Sequence, residues 1–253
     1  MADAAQISPI QDFIVSAIFD YTVVVDNYET FLIGIWNTIT LVALSLLFGG
    51  LLAVPLAVFR AERHPIFSPL IWCYTYLFRG TPLLIQTFLI YYGLGQFEVI
   101  RDSFAWPVLR EAYWCALIAF SLNSAAYQTE IFRGAIEATP FGEVEAAKAS
   151  GMSRLTMMRR IILPSAFRRA LPAYSNEVIF MLHGSVIAST VTVVDILGAG
   201  RTVNAKYYIY LEGFLAAAIL YLTLVFLISR GFKLWEKHWH AHLRPRSAAS
   251  PAE

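Results

Sequence analysis

Three ionisable residues, Arg79, Glu130 and Glu177, sit within apolar stretches of this chain. A charge held in lipid costs about 3 kcal/mol or more unless it is paired or wet, so each needs a partner or a task. Asn123, Tyr127 and Glu130 follow one another at spacings of four and three, which puts them on one helical face. Asn176, Phe180 and His183 share a second face. Turned toward a bundle interior, these stripes could recognise a cationic ligand, a carboxylate supplying the opposite charge while amides and rings shape the pocket. The competing reading pairs Arg79 with Glu130 or Glu177 as a gate or strut. Both acids lie nearer the end of their apolar stretches than the middle, which favours the strut. His183 alone reads as a hydrogen-bonded interior histidine.

The other chemistry is recognition. Glu143–Pro164 reads EVEAAKASGMSRLTMMRRIILP, a charged island in a chain that otherwise suits lipid. Glu143 to Ser150 is helix-forming, Gly151 is a natural stop, and Ser153 is a good N-cap for the next turn. Helical composition resumes at Leu155 and runs to Pro164, which is expected to end it. The island therefore predicts two short helices joined at a glycine, outside the bilayer, with a small Ala146–Ala147 face that a partner could approach closely. Acidic Glu143 and Glu145 lie near the first helix's positive end, and Arg159 and Arg160 near the second's negative end. Two functions fit: a DNA-reading helix-turn-helix or a docking element. A surface hairpin without a partner is the bland alternative.

Composition bounds the choice. Of 253 residues 58% are hydrophobic and 15% charged, with a mean hydropathy of +0.58. A soluble domain carries roughly a quarter charged residues, so a membrane protein of several spans is indicated, and the helix-length apolar runs described below make the expected fold class an all-α integral membrane protein. The net charge of +1 gives no hint of nucleic acid. Cys73 and Cys115 are isolated in apolar sequence and imply neither metal nor disulfide framework. No GxxxxGK[ST] phosphate loop is present.

The elements that must position these residues can be taken in order. Met1 to Tyr28 is acidic, without Lys or Arg, which argues against a cleaved signal peptide. Its apolar run from Phe13 to Phe19 is too short to span. Thr30 to Phe59 is uncharged and makes the first span. A second runs from Pro65 to about Phe97, interrupted at Arg79-Gly80-Thr81-Pro82. Glu98 to Glu111 reads as a polar loop, and Ala112 to Thr129 as a third span extended to Ile136. After the island, Ala170 to Val193 is the fourth span, Asp195 to Glu212 a Gly- and Tyr-rich loop, and Gly213 to Ser229 a short fifth. From Arg230 the tail is basic and ends in a Pro/Ala/Ser segment expected to be disordered.

Five spans place the two termini on opposite sides. Fourteen of the nineteen Lys and Arg residues fall on the side of the tail and island, against Arg101, Arg110, Arg201 and Lys206 on the other. That asymmetry puts the tail and island in the cytoplasm. The expected organisation is an N-terminal lead-in over 1–29, a membrane domain over 30–232 with its cytoplasmic loop at 137–165, and a basic tail over 233–253. Tyr207, Tyr208 and Tyr210 read as an interfacial belt, and Trp235 and Trp239 as a membrane-surface anchor.

The spacing Glu145, Ala146, Ala147, Gly151, Ile161, Leu163, Pro164 resembles the signature loop of permease subunits of binding-protein-dependent ABC importers. YTYLFRGTPLLIQTFLIYYGLG (74–95) resembles the second span of polar amino-acid permeases. ILPSAFRRALPAYSNEVIFMLHGSVIASTVTVVDIL (162–197) is similar to the membrane subunits of histidine/lysine/arginine/ornithine importers. This resemblance implies a type I importer permease with a periplasmic N-terminus. It implies a second homologous or identical permease, two ATPase subunits beneath, and a periplasmic or lipid-anchored binding protein above; the outer residues Arg101, Asp102, Arg201, Lys206 and Glu212 read equally as a dock for that protein or as a solvated surface. ATP and Mg would be bound by the ATPase, no cofactor by this chain, and no nucleic acid would be involved. The signature residues would seat in an ATPase cleft, and Arg79, Asn123, Tyr127, Glu130, Asn176, Glu177 and His183 would lie along the path of a basic amino acid. A membrane-tethered DNA-binding regulator and an ion-coupled carrier working alone are the alternatives.

Overall fold

The computed structural model describes residues 21–239; the apolar run from Phe13 to Phe19 and the Pro/Ala/Ser end of the tail lie outside them. Among the described residues there is no β-strand. Helix α1 (Tyr21–Asp26) leads into α2 (Tyr28–Ala61). Without a charge between Glu29 and Arg60, α2 runs for 34 residues, and those two charges complement its dipole at either end. At about 1.5 Å per residue it exceeds the roughly 30 Å of a hydrocarbon core.

The second expected span is broken where Gly80 and Pro82 predict. Helix α3 (Phe67–Gly80) stops, Thr81 and Pro82 are non-helical, and α4 (Leu83–Phe88) follows. The Gln86 amide donates to the Thr81 carbonyl at 3.0 Å and to its hydroxyl at 2.8 Å, satisfying groups that the break would strand. A π turn (Leu89–Gly93) and a 3-10 turn (Leu94–Gln96) complete the stretch. The expected loop from Glu98 to Glu111 holds two single-turn helices, α5 (Glu98–Arg101) and α6 (Trp106–Leu109).

Helix α7 (Ala112–Glu137) covers the third expected span, with Ser124, Gln128 and Thr129 all wholly buried. The island follows as α8 (Phe141–Ala149) and α9 (Arg154–Met157), a π turn (Met158–Ile162) and α10 (Leu163–Gly184). A 3-10 stretch (Ser185–Val191) carries on to the loop before α11 (Ile196–Tyr207), and α12 (Glu212–Trp239) closes the described chain. By length and hydropathy α2 and α12 each suffice to cross a bilayer, and a third span exists if Arg154–Val191 and Ile196–Tyr207 form one bent crossing.

Two readings are corrected here. Asp195–Glu212 is not a loop: Asp195 caps α11 by accepting from the Gly198 amide at 2.7 Å, and Ile196, Ala199 and Val203 bury the helix's apolar face. Glycine content disguised it, because Gly200 is needed for close packing against Gly213. The helix after Gly151 does not stop at Pro164 either, for a reason given below.

The chain divides into two compact units. One comprises the chain up to Ser45 with Thr81–Ser121 and Met181–Val225. Its core joins Phe31, Ala199, Val203 and Ala216. Within it the Tyr221 hydroxyl donates to buried Asp195 at 2.9 Å, and the Thr38 hydroxyl accepts from the Ile196 amide at 3.2 Å. The other unit comprises Leu46–Gly80, Leu122–Phe180 and the chain from Phe226. Its core runs from Ala53 and Ala57 through Phe132 and Ile136 to Ala147, Met157, Ile162 and Ala170, so the island is built into it. The Gln128 amide of α7 donates to the Leu46 carbonyl of α2 at 3.1 Å and fixes those helices together there.

Candidate coupling site

The turn between α8 and α9 is set by Gly151. Its φ of +72° is a left-handed conformation that residues with a Cβ adopt at a cost. The Gly151 amide donates to the Lys148 carbonyl at 2.9 Å and the Met152 amide to the Ala147 carbonyl at 3.1 Å. This pair of bonds is the Schellman arrangement, which satisfies the last carbonyls of α8. Ser153 then caps α9, its hydroxyl accepting from the Thr156 amide at 3.3 Å.

Pro164 is accommodated rather than terminal. The Leu163 amide reaches back five residues to the Met158 carbonyl, the signature of the π turn. A widened turn resets the ladder just before a residue without an N–H, so the chain stays helical through Pro164 to Gly184. The island is therefore one short helix hinged onto the start of a long one.

The signature residues divide by face. Glu145 and Ala146 are exposed, whereas Ala147 is 2% exposed and packs with Met157 and Ile162 in the unit's own core. The two alanines cannot form one outward face, since adjacent helical residues point about 100° apart. Ile161 and Leu163 are half-buried against the same core and Pro164 is exposed. Sequence reasoning missed the most exposed apolar groups of the hairpin: Phe141 is 86% exposed and Leu155 77%. A large apolar residue at the outer start of each short helix, free of an amphipathic rationale, was the available signal.

An ion pair ties the hairpin to the end of α2, and a second group of charges lies on α7. Arg154 lies 3.2 Å from Glu62, just beyond α2. Glu130 is gripped by Arg133 at 2.8 Å, approached by Arg60 at 3.5 Å, and bonded by the Thr75 hydroxyl at 3.2 Å. The Arg60 contact is electrostatic only, because its Nε makes no hydrogen bond. Arg133 also bonds Glu137 at 2.6 Å.

Glu130 therefore lies against Arg60 and Arg133 and not against Arg79. Arg79 instead lies over the Tyr127 ring at 5.2 Å. The Asn123 amide donates to the Phe78 carbonyl at 3.2 Å. Glu177 is buried and accepts from the Ser124 hydroxyl at 3.1 Å. Arg79, Asn123, Tyr127 and Glu130 therefore gather between α3 and α7, while Asn176 and His183 are exposed. Among the described residues no cluster of His, Cys, Asp and Glu could hold a metal ion.

Hairpin and polar groups alike sit within residues 46–240, the region matched by the family described as binding-protein-dependent transport system inner membrane component. The chain belongs to this family. Among similar inner membrane components, the nopaline transport system permease protein of Agrobacterium fabrum is 40% identical over 90% of this chain and 95% of its own. The octopine transport system permease protein of Rhizobium radiobacter is 44% identical, covering 86% and 89%. The histidine/lysine/arginine/ornithine transport system permease protein of Escherichia coli is 44% identical, covering 85% and 90%. A solved amino acid ABC transporter with histidines superposes with a TM-score of 0.76 at 30% identity, over 86% of this chain and 98% of that one. The methionine transporter MetNI shares the fold at 18% identity and a TM-score of 0.65, over 81% and 94%.

An inner membrane component of such a system is its permease subunit, with ATP hydrolysis left to a separate subunit. The DNA-binding regulator and the lone ion-coupled carrier find no support in these matches.

Proposed function

We propose that this chain and a second, identical or homologous permease form the membrane path of an ATP-driven bacterial importer for basic amino acids or opine-like derivatives. Five crossings, with the lead-in periplasmic and the hairpin cytoplasmic, fit the distribution of Lys and Arg. The exposed faces of α8 and α9 then meet the ATPase, Phe141 and Leu155 serving as apolar anchors around Glu145 and Ala146. ATP and Mg belong to that partner, and a binding protein delivers substrate from outside. The observation that carries the reading is the hairpin itself: a glycine-hinged helix presents apolar side chains outward while its second arm runs without interruption into α10. Closure of the ATPase around α8 would move α10 as a rigid body.

The cargo class rests on relatives named for histidine, lysine, arginine, ornithine, octopine and nopaline. Reconstitution with the ATPase and binding protein tests it. ATP-dependent arginine uptake, competed by histidine or octopine and not by alanine, is expected. Uptake that survives ATP depletion, or a complex that carries only neutral amino acids, would contradict the reading.

A further inference from the structure

Outside the coupling site, the second unit holds an apolar cavity of about 610 Å³ between α2, α7, α10 and the end of α12. Its walls include Leu51, Val54, Phe132, Leu171, Trp235 and Trp239. Along α2 the lining runs from Leu46 to Pro55, about 13 Å at the rise of a helix, so the cavity is an elongated slot, open along walls such as Leu47 and Leu51. A second cavity of about 480 Å³ shares Phe167 and Trp239 with it and adds Arg168 and His238. Arg168 is exposed and makes no ion pair among the described residues. Lys233 and Lys237 stand on the same terminal stretch of α12, against a single acid there, Glu236.

An apolar slot opening at one end onto unspent positive charge, with tryptophans at the junction, has the chemistry of one amphiphile. We propose that it holds an anionic phospholipid, an acyl chain lying along α2 and α10 and the phosphate resting on Arg168 and His238. A zwitterionic lipid would fill the slot equally but gain less from Arg168, whose guanidinium matches phosphate geometry and is engaged in no ion pair among the described residues. The amino-acid cargo is excluded, since apolar walls would strand its charged groups. The proposal rests on the chain being embedded in a membrane and on neither the cargo nor the coupling role.

The test uses the assembled importer, purified with its ATPase and loaded into nanodiscs of mixed phosphatidylcholine and phosphatidylglycerol. Lipid retained after release is measured by native mass spectrometry. Retention of phosphatidylglycerol over phosphatidylcholine is expected, unaffected by added inorganic phosphate. Arg168→Gln should weaken retention about fivefold. Leu51→Trp, at an exposed wall of the slot, should displace the lipid with Arg168 intact, and Leu47→Trp replaces it if that variant fails to assemble. Equal retention of both lipids would overturn the proposal. So would wild-type retention in both the charge and the wall variants, or quantitative cross-linking of Trp235→Cys to the second permease, which would mean that a protein fills the slot. ATP-driven uptake is assayed in parallel, so that equal retention of both lipids by a wild-type importer that still transports rejects the site alone.

Discussion

Arg154 stands 3.2 Å from Glu62, so the arm of the hairpin that continues into α10 is tied by charge to the end of α2. Arg154 is 74% exposed in its side chain, so as a static contact the pair is worth about 0.5 kcal/mol or less. Its value would lie in register between the two helices. We predict that Glu62→Lys lowers uptake per ATP hydrolysed without shifting the unfolding temperature, and that adding Arg154→Glu restores the ratio. A double variant no better than the single one would remove the pair from the coupling route.

Gly151 gives a graded prediction. Nothing lies within 4 Å of a Cβ built there, so its only objection to a side chain is the φ of +72°. Gly151→Ala should cost about 1 kcal/mol in the turn. Gly151→Asn should be tolerated better and Gly151→Val worse, because a β-branched residue resists that conformation most. Uptake should fall in that order while the assembled complex goes on hydrolysing ATP. Full uptake by the valine variant would contradict the hinge.

Glu130 is the counter-charge for Arg60 and Arg133. Glu130→Gln leaves both cations without it and should destabilise the permease by about 2 kcal/mol. Because the carboxylate is already spent, uptake of lysine and of any neutral competitor should fall by the same factor. A changed preference between them, measured by competition, would mean that Glu130 touches cargo.

Gly200 and Gly213 approach so closely that a Cβ on either would collide with the other's backbone. Gly213→Ala should therefore destabilise by about 1–3 kcal/mol as overpacking, read as a lower unfolding temperature. An unchanged temperature would contradict that contact.

What the sequence made legible and what it hid differ in kind. The break at Gly80–Pro82, the turn at Gly151 and the cap at Ser153 were visible because each is decided by the residue at that position. Pro164 misled because a neighbouring π turn absorbed it, and a turn of that kind leaves no mark in residue type. Helix α11 is hidden because its Gly200 serves close packing against Gly213 rather than turning. Ala147 was paired with Ala146 on one face by composition, when tertiary burial separates them. The partners of Glu130 were out of reach, since Arg60 and Thr75 are distant in sequence.

The central claim is that α8 is a cytoplasmic surface covered by the ATPase. In a Cys73→Ala background, Ala146→Cys should react with a membrane-impermeant maleimide only in inside-out vesicles, and the ATPase should protect it. Labelling in intact cells, or equal labelling with and without the assembled ATPase, would contradict the account.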